Sequence, residues 1–279
     1  MIIVVSDVHL AQHPNDLEVK KDDQEFEDFL KQIAGDQLRD GGHLVLLGDV
    51  VDFWRRDFAK ALMETADIFS KLTSFNTSVN VHYIAGNHDF FMLKLYERLA
   101  PKFPFANVSK SVSLQDGEIK FFFIHGYQLE VLANPFYKSQ TSYESFSENL
   151  CLYGDDTGNA ASKLWDAFQT SKSLFEGLMR LPTDISGTLK SMMKSPEERL
   201  EGDHKVKSFI DQLAASKART LYLGAERDDV LVFGHTHDHD SSYDAVNRVV
   251  NTGSWKKSPC EDYRFLEIKD GRVTVKAFR

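Results

Sequence analysis

The sequence predicts an α/β fold, and three observations support this class. Short apolar runs recur along the chain, and each ends abruptly in a polar cluster. Apolar residues at helical spacing separate the first of these runs. Strands that alternate with helices form open α/β sheets, in which ligands collect at the carboxyl ends of the strands. The polar clusters therefore lie where a binding site is expected.

Five apolar runs are predicted strands. Each is rich in branched or aromatic residues and is apolar at consecutive positions, which is typical of strands that are buried on both faces. The runs are Ile2–Val5, Leu44–Leu47, Val79–Ala85, Phe121–Ile124 and Val230–Phe233.

Two stretches between the first strands have the periodicity of amphipathic helices. Apolar residues recur there at intervals of three to four positions, which places them on one side of a helix. The first stripe is Phe26, Phe29, Leu30 and Ile33, and the second is Ala61, Leu62, Phe69 and Leu72.

A long segment, about residues 134–221, has mostly helical periodicity. It is too long for a plain loop, so we interpret it as a helical insertion that packs beside the sheets. Pro182, Gly187 and Pro196 are its expected helix breaks. Its aromatic and methionine residues are predicted to form contacts between helices, and an apolar lid over the site is the alternative.

The C-terminal segment predicts a β-hairpin. Tyr263–Lys269 and Arg272–Phe278 flank Asp270-Gly271, which is a strong signal for a tight two-residue turn.

Bulk properties limit the class of protein. The chain has 279 residues, of which 42% are hydrophobic, and we predict one domain over residues 1–279 that contains the insertion. A formal net charge of -9 provides no broad basic surface, so tight nonspecific binding to nucleic acid is not expected. An anionic substrate would then need local positive charge, such as metal ions.

The N-terminus and the cysteine content predict a cytoplasmic protein. Ile2–Val5 lacks the length and basic flank of a signal peptide, and no stretch is long enough for a membrane span. Cys151 and Cys260 are the two cysteines, and we expect both to be reduced thiols.

The polar clusters have the composition of a metal site without thiolate ligands. They are Asp7-Val8-His9, Gly48-Asp49-Val50-Val51-Asp52, Gly86-Asn87-His88-Asp89, His125-Gly126 and Gly234-His235-Thr236-His237. In an extended segment, residues two apart project to the same side, so Asp7 with His9, and His235 with His237, could each converge on a metal. Carboxylate and imidazole ligands favour Mn²⁺, with Zn²⁺ or Fe as alternatives.

Seven candidate ligands are too many for one ion. They are Asp7, His9, Asp49, Asn87, His125, His235 and His237. Two ions about 3.5–4 Å apart that share a carboxylate would use all of them. Such a pair stabilises the attacking and leaving oxygens of an in-line phosphoryl displacement, and the expected nucleophile is a bridging water or hydroxide.

The ordered set of clusters resembles the calcineurin-like metallophosphoesterase superfamily. The resemblance extends from Asp7 to His237, and it implies two β-sheets packed face to face with helices outside. It also implies a ligand set, in which Asp7, His9 and His237 bind the first metal, Asp49 bridges, and Asn87, His125 and His235 bind the second.

The same resemblance implies catalytic roles for His88 and Asp52. His88 matches the histidine that touches the substrate phosphate and assists the leaving group, and Asp52 matches its carboxylate partner. A carboxylate on the other ring nitrogen would fix the tautomer or favour the charged form that donates a proton. Asp89 could orient a ligand or hold the turn.

The resemblance leaves several substrates open, and a small phosphorylated molecule, nucleotide or lipid-linked, is the expected class. Gly48–Arg55 and Asn251–Trp255 look like the branch that contains UDP-2,3-diacylglucosamine pyrophosphatases. Those enzymes usually carry arginine where this chain has His88, which favours a more general phosphodiesterase or pyrophosphatase. The alternatives are a DNA-end nuclease of the same superfamily and a noncatalytic scaffold on the same fold.

Trp54, Arg55 and Arg56 follow the second cluster by two to four residues. They could face the substrate, where an arginine would hold a second phosphate, or they could be solvent-facing residues at the start of a helix.

Overall fold

Two β-sheets form the centre of the structure, a computed structural model that describes residues 1–12, 17–75, 78–99, 105–133, 137, 139–155, 209–237, 243–255 and 262–278. The strands are β1 (Ile2–Val5), β2 (Gly42–Leu47), β3 (Val79–Ile84), β4 (Asn107–Ser109), β5 (Ser111–Asp116), β6 (Ile119–Ile124), β7 (Val230–Phe233), β8 (Tyr243–Asp244), β9 (Val249–Asn251), β10 (Tyr263–Lys269) and β11 (Arg272–Phe278). The helices are α1 (Leu17–Gly35), α2 (Phe58–Glu64), α3 (Ala66–Thr73), α4 (Met92–Leu99), α5 (Tyr127–Ala133), α6 (Gln140–Tyr153) and a π-helix (Arg219–Leu223).

Both sheets are mixed. The first has the strand order β11-β10-β1-β2-β3-β4, in which β1 to β4 are parallel and β10 and β11 form an antiparallel pair. The second has the order β5-β6-β7-β9-β8, in which β6, β7 and β9 are parallel and the two edge strands are antiparallel. All five predicted strands are confirmed, and they occupy the central positions.

Alternate residues of the strands supply different parts of the core. In β1, Ile2 and Val4 join the cluster between the sheets, whereas Ile3 and Val5 join the cluster under the helices that cover the first sheet. The second sheet does the same, because Phe121 and Phe123 face the first sheet while neighbouring residues pack on α5. The arrangement is therefore helix, sheet, sheet, helix, as predicted.

The first predicted helical stripe is buried, whereas the second is partly buried and belongs to two helices. Phe26 and Phe29 of α1 are fully buried and pack around Trp255. The second stripe is divided at Thr65, which ends α2 with a backbone ψ of 1°. The Thr65 hydroxyl donates to the carbonyl oxygen of Ala61 at 2.8 Å, so a local side-chain bond accompanies the break.

The predicted hairpin is confirmed. Lys269 pairs with Arg272 at the end of β10 and β11. Asp270 and Gly271 have φ angles of 52° and 73°, and positive values at both central positions define the turn that suits a two-residue hairpin.

Most of the predicted insertion, including residues 156–208 with its expected breaks, lies outside the described residues. The described parts of the segment include α6 and the helical residues 209–215. Cys151 of α6 is a buried free thiol, and Cys260 also lies outside the description. Within the described ranges, no helix is long and apolar enough to cross a membrane.

Candidate metal centre

The parallel strands bring the predicted ligands to one edge of the two sheets. Each ligand segment follows the carboxyl end of a central strand, where loops leave the packed core. Asp7 and His9 follow β1, Asp49 follows β2, Asn87 follows β3, His125 follows β6, and His235 and His237 follow β7. All but His235 and His237 are buried.

The ligand segments have an unusual backbone. Five of the seven predicted ligands have positive φ angles, namely Asp7 (54°), His9 (51°), Asp49 (51°), His235 (69°) and His237 (52°). This conformation costs a non-glycine residue about 1–2 kcal/mol. Backbone bonds between neighbouring loops hold it, since Asp7 N–H donates to Gly48 O at 3.0 Å and His9 N–H donates to Asp49 O at 2.9 Å.

One cluster contains the ligands predicted for the first metal. The candidate ligand atoms of Asp7, His9 and His237 all lie within 4.8 Å of one another. The His237 Nε2 atom is 3.1 Å from Asp7 Oδ1 and 3.3 Å from His9 Nε2. The His237 side chain is 45% exposed, so this cluster opens to solvent.

A second cluster adjoins the first. It contains Asp49, His125 and His235, whose candidate ligand atoms also lie within 4.8 Å of one another. The His125 Nε2 atom lies 3.2 Å from Asp49 Oδ2 and 3.2 Å from His235 Nδ1. The same nitrogen is 4.0 Å from Asp7 Oδ1, so the two clusters are in contact.

Asn87 is a suitable metal ligand because its side-chain oxygen is buried without a partner among the described residues. Its side chain is buried, and its Oδ1 atom has no hydrogen-bond partner in the described part of the chain. A buried amide oxygen without a partner carries a desolvation cost, which coordination to a cation would remove. The carboxylate and imidazole donors within each cluster lie close enough together to share one ion, so the residues fit divalent metal ions.

The argument from extended geometry was wrong for His235 and His237. It predicted that these two residues converge on one centre, but each joins a different cluster. The left-handed backbone at both positions replaces the extended segment on which the argument depended. Asp7 and His9 do share a cluster, but both also have positive φ angles, so extended geometry is not the reason that they converge.

Two glycines allow the strand ends to approach one another. A Cβ atom on Gly48, which has a φ of 87°, would lie 2.5 Å from Cγ of His125. A Cβ atom on Gly86 would lie 2.5 Å from the backbone nitrogen of Asp49. Real Cβ atoms do not come so close, so only glycine at these two positions permits the close backbone approach.

His88 and Asp52 form the predicted pair. The His88 Nδ1 atom lies 3.0 Å from Asp52 Oδ1, and the His88 side chain remains 12% exposed. Asp52 Oδ2 lies 3.4 Å from Nδ1 of His9, so the same carboxylate also adjoins the first cluster. Asp52 Oδ2 also accepts a hydrogen bond from Arg55 Nη1 at 2.9 Å. Both oxygens of the Asp52 carboxylate therefore have a hydrogen-bond partner.

The charges of the site act on one another strongly. Burial alone would raise the pKa of the Asp49 and Asp52 carboxyls, but the neighbouring histidines His125 and His88 outweigh it and hold both pKa values well below the usual range. Burial alone would likewise lower the pKa of His125, but Asp49 and Asp7 raise it to about 10. Ionised carboxylates at neutral pH are the form that binds metal.

Asp89 holds the turn that carries Asn87 and His88. Its Oδ1 atom accepts from Gly86 N–H at 2.7 Å, and its Oδ2 atom accepts from Val50 N–H at 2.7 Å and Tyr83 OH at 2.5 Å. Burial first, and then the charge of Asp49, raise the pKa of Asp89 to about 6. Of its two predicted roles, the structure favours the one in the turn.

The surroundings differ among the three residues that lie two to four positions after the second cluster, namely Trp54, Arg55 and Arg56. The Trp54 ring stacks on His88, with 4.2 Å between ring centroids and 23° between planes. Arg55 donates to Asp52 and is 43% exposed, whereas Arg56 is buried and pairs with Glu64. Trp54 and Arg55 thus lie beside the site, and the charge of Arg56 is directed to Glu64.

The Asn251–Trp255 segment supports the ligand loops. Asn251 Nδ2 donates to Thr236 Oγ1 at 2.7 Å, between the two terminal histidines. Ser254 Oγ donates to the carbonyl oxygen of Asp7 at 3.2 Å, while Trp255 is buried under α1. The motif therefore fixes loops around the site without supplying a ligand in the described structure.

Glu130 lies beside the site but was not predicted from the sequence. This residue of α5 places Oε2 2.6 Å from Nε2 of His235. Its position in a helix five residues after His125 carries no recognisable signal, because contact with the loop after β7 depends on the pairing of β6 with β7.

Comparison with known families agrees with the geometry. The sequence pattern described as "Calcineurin-like phosphoesterase" matches residues 1–239. The chain therefore belongs to this family, which assigns it to the metal-dependent phosphoesterases. No curated protein matches the chain.

Three solved structures are similar over nearly the whole chain. A "Novel Archaeal Phosphodiesterase" has 12% identity and a TM-score of 0.45, covering 99% of each chain. A dimetal phosphatase from Danio rerio has 14% identity and a TM-score of 0.46, covering 99% of this chain and 95% of its own. Vacuolar Protein Sorting 29 from Cryptosporidium parvum has 13% identity and a TM-score of 0.37, with the same coverage. Because the identities and TM-scores of these structures are low, the assignment of this chain to the phosphoesterases rests on the family match.

Proposed function

We propose that this protein is a binuclear metal-dependent phosphoesterase that hydrolyses a phosphodiester or pyrophosphate bond. The observation that carries the proposal is the contact between two clusters of oxygen and imidazole donors, beside which lies the His88–Asp52 pair. One cluster would bind one ion. Two adjoining clusters match the arrangement that phosphoryl transfer uses.

Each predicted ligand keeps a role in this proposal. Asp7, His9 and His237 would hold the first ion, Asn87, His125 and His235 would hold the second, and Asp49 would bridge them. When bound, the ions supply a water of lowered pKa as nucleophile and offset the negative charge of the phosphoryl oxygens during in-line displacement. Mn²⁺ is the proposed metal, because the donors are carboxylate, amide and imidazole without thiolate, and Zn²⁺ or Fe are the alternatives.

His88 would donate a proton to the oxygen of the leaving group. Its Nδ1 faces Asp52, so Nε2 is the nitrogen that remains for the substrate. Burial alone would lower the pKa of His88, but the charges of Asp52 and Asp49 outweigh it and raise the pKa, which favours the protonated acid. Stacking on Trp54 restricts rotation of the ring.

The substrate would be a small phosphorylated molecule. Arg55 is half-exposed beside Asp52, where it could pair with a second phosphate of a pyrophosphate substrate. Histidine at position 88 departs from the UDP-2,3-diacylglucosamine pyrophosphatases, so we favour a general phosphodiesterase or pyrophosphatase. A single domain over residues 1–279, with an insertion at about 134–221, and a cytoplasmic location remain part of the proposal.

The proposal is tested with purified protein, Mn²⁺ and bis-p-nitrophenyl phosphate. We expect release of nitrophenolate that stops on chelation and returns when Mn²⁺ is restored. Asp49→Asn should lose bound metal and activity together, because the amide cannot supply a charged bridge between two cations.

Two results would contradict the proposal. Absence of turnover with every divalent metal, on diester, monoester and pyrophosphate substrates, would favour a noncatalytic scaffold. An Asp49→Asn protein that retains two ions and full activity would remove the bridging role.

A further inference from the structure

Glu130 contacts a predicted ligand from the side opposite the metal centre. Its Oε2 atom lies 2.6 Å from Nε2 of His235, and the two side chains are 21% and 14% exposed. Such a short, mostly buried contact differs from a surface ion pair, which salt and water weaken.

The two ring nitrogens of His235 face different surroundings. Nδ1 lies 3.2 Å from His125 Nε2 and so faces the second cluster, whereas Nε2 faces Glu130. An ionised carboxylate only accepts hydrogen bonds, so it selects the tautomer with hydrogen on Nε2. The lone pair of the neutral ring is then on Nδ1, directed at the second cluster.

The carboxylate is itself held in place by the start of the predicted insertion. Tyr137 OH donates to the other oxygen, Oε1, at 3.2 Å. The Tyr137 ring packs edge-on against Tyr143 of α6, with 4.8 Å between centroids. Tyr143 in turn stacks on Tyr127 of α5, the helix that carries Glu130. Glu130 is thus oriented by a chain of packed tyrosines, of which Tyr127 also contacts the predicted ligand His125, with 6.3 Å between ring centroids.

We propose that Glu130 is a positioning residue for the second metal site, which orients His235 and fixes its tautomer so that Nδ1 binds the ion. The inference rests on the proposed function, since it needs a metal at this position. Carboxylate partners of metal-binding histidines typically contribute 10–100-fold to metal affinity. The effect should be confined to the ion that His235 holds.

The experiment measures the number and affinity of bound Mn²⁺ ions by calorimetry at constant pH. We expect Glu130→Ala to weaken one of two binding steps about 10–100-fold and to leave the other step unchanged. Glu130→Gln should weaken it less, because the amide oxygen can still accept from Nε2. Thermal unfolding of the metal-free proteins should be similar.

Glu148→Gln is the matched control. Glu148 of α6 is 22% exposed and pairs with Lys94, so it resembles Glu130 in burial and charge pairing without a contact to a predicted ligand. Both binding steps should keep their affinities in this variant.

A double-mutant cycle separates positioning from a general structural role. If Glu130 acts through His235, then Glu130→Ala should cost no further affinity in a His235→Ala background. The proposal is overturned if both binding steps weaken equally, if the metal-free variant unfolds at a much lower temperature, or if the two substitutions are additive. Wild-type protein that binds no metal would overturn the proposed function, and this inference with it. Two ions in wild type with unchanged binding in Glu130→Ala would overturn this inference alone.

Discussion

At the residue scale, the proposed acid role of His88, which lies 3.0 Å from Asp52, would distinguish a catalytic site from a metal-binding site. His88→Ala removes the proposed acid and leaves every proposed ligand in place. We expect turnover to fall about 10²–10⁴-fold on a substrate with a poor leaving group, with both ions retained. Steady-state kinetics together with metal analysis of the same sample checks this.

The leaving group provides the control for His88. A substrate whose leaving group needs no proton should be much less affected by the substitution. Equal losses on both kinds of substrate, or loss of metal from the variant, would contradict the acid role.

A second prediction concerns a histidine pair away from the site. His43 Nδ1 lies 2.9 Å from His82 Nε2, and His82 Nδ1 lies 2.8 Å from Asn107 Oδ1. Burial lowers the pKa of both rings below their usual value, and for His43 the neighbouring His82 adds to this effect. The unfolded chain therefore binds protons more readily than the folded chain below about pH 6.5.

This difference predicts that the pair contributes to loss of stability in mild acid. The free energy of unfolding should decrease as the pH falls from about 7 to 5, and His82→Gln should make that decrease smaller. Denaturant unfolding of both proteins at the two pH values measures the change. Contributions from other titrating groups cancel when the wild type is compared with His82→Gln. An identical pH dependence of the two free energies of unfolding would therefore contradict the role of the histidine pair.

Two features of individual residues could not be predicted from the sequence, namely the backbone conformation at His235 and His237 and the contact of Glu130. The types and order of the predicted ligand residues indicated that their strand ends lie close together, although extended geometry grouped His235 with His237 wrongly. The left-handed backbone at His235 and His237 was not predicted, because neither residue type requires it and tertiary bonds impose it. Glu130 was missed because its partner is remote in sequence.

At the element scale, close packing of the strand ends makes Gly86 sensitive to substitution. A Cβ atom there would overlap with Asp49, so the loops after β2 and β3 would have to separate. We expect Gly86→Ala to destabilise the protein by about 1–3 kcal/mol and to weaken metal binding. Denaturant unfolding and metal titration measure the two effects.

Gly35 at the end of α1 provides the control for Gly86. A Cβ atom at Gly35 would have no neighbour within 4 Å. Gly35→Ala should therefore leave metal binding unchanged, and stability should be equal or slightly higher. Similar effects of the two substitutions would contradict the packing account.

The central strands could be predicted because they are apolar at consecutive positions, and the hairpin because it carries a specific turn. Strands β4, β8 and β9 have only two or three residues, and β5 is a half-exposed edge strand with several polar residues. The edge strand β5 shows little apolar periodicity because few of its side chains enter the core, and strands of two or three residues, including the buried β9, are too short for a period to be recognised. The break at Thr65 depends on a local hydrogen bond that periodicity does not reveal.

At the scale of the whole molecule, the paired sheets explain why predicted ligands that are far apart in sequence meet. The predicted ligands that follow β1 to β3 come from the first sheet, and those that follow β6 and β7 come from the second. The sheets pack through a shared apolar core, so the two halves of the site are held by the same contacts that stabilise the fold.

The most direct test of this account is anomalous diffraction from crystals grown with Mn²⁺. A binuclear centre should give two peaks about 3.5–4 Å apart, one bound by Asp7, His9 and His237 and the other by Asn87, His125 and His235. Asp49 should lie between the peaks and contact both. A single fully occupied peak, or two peaks without Asp49 between them, would contradict the central claim.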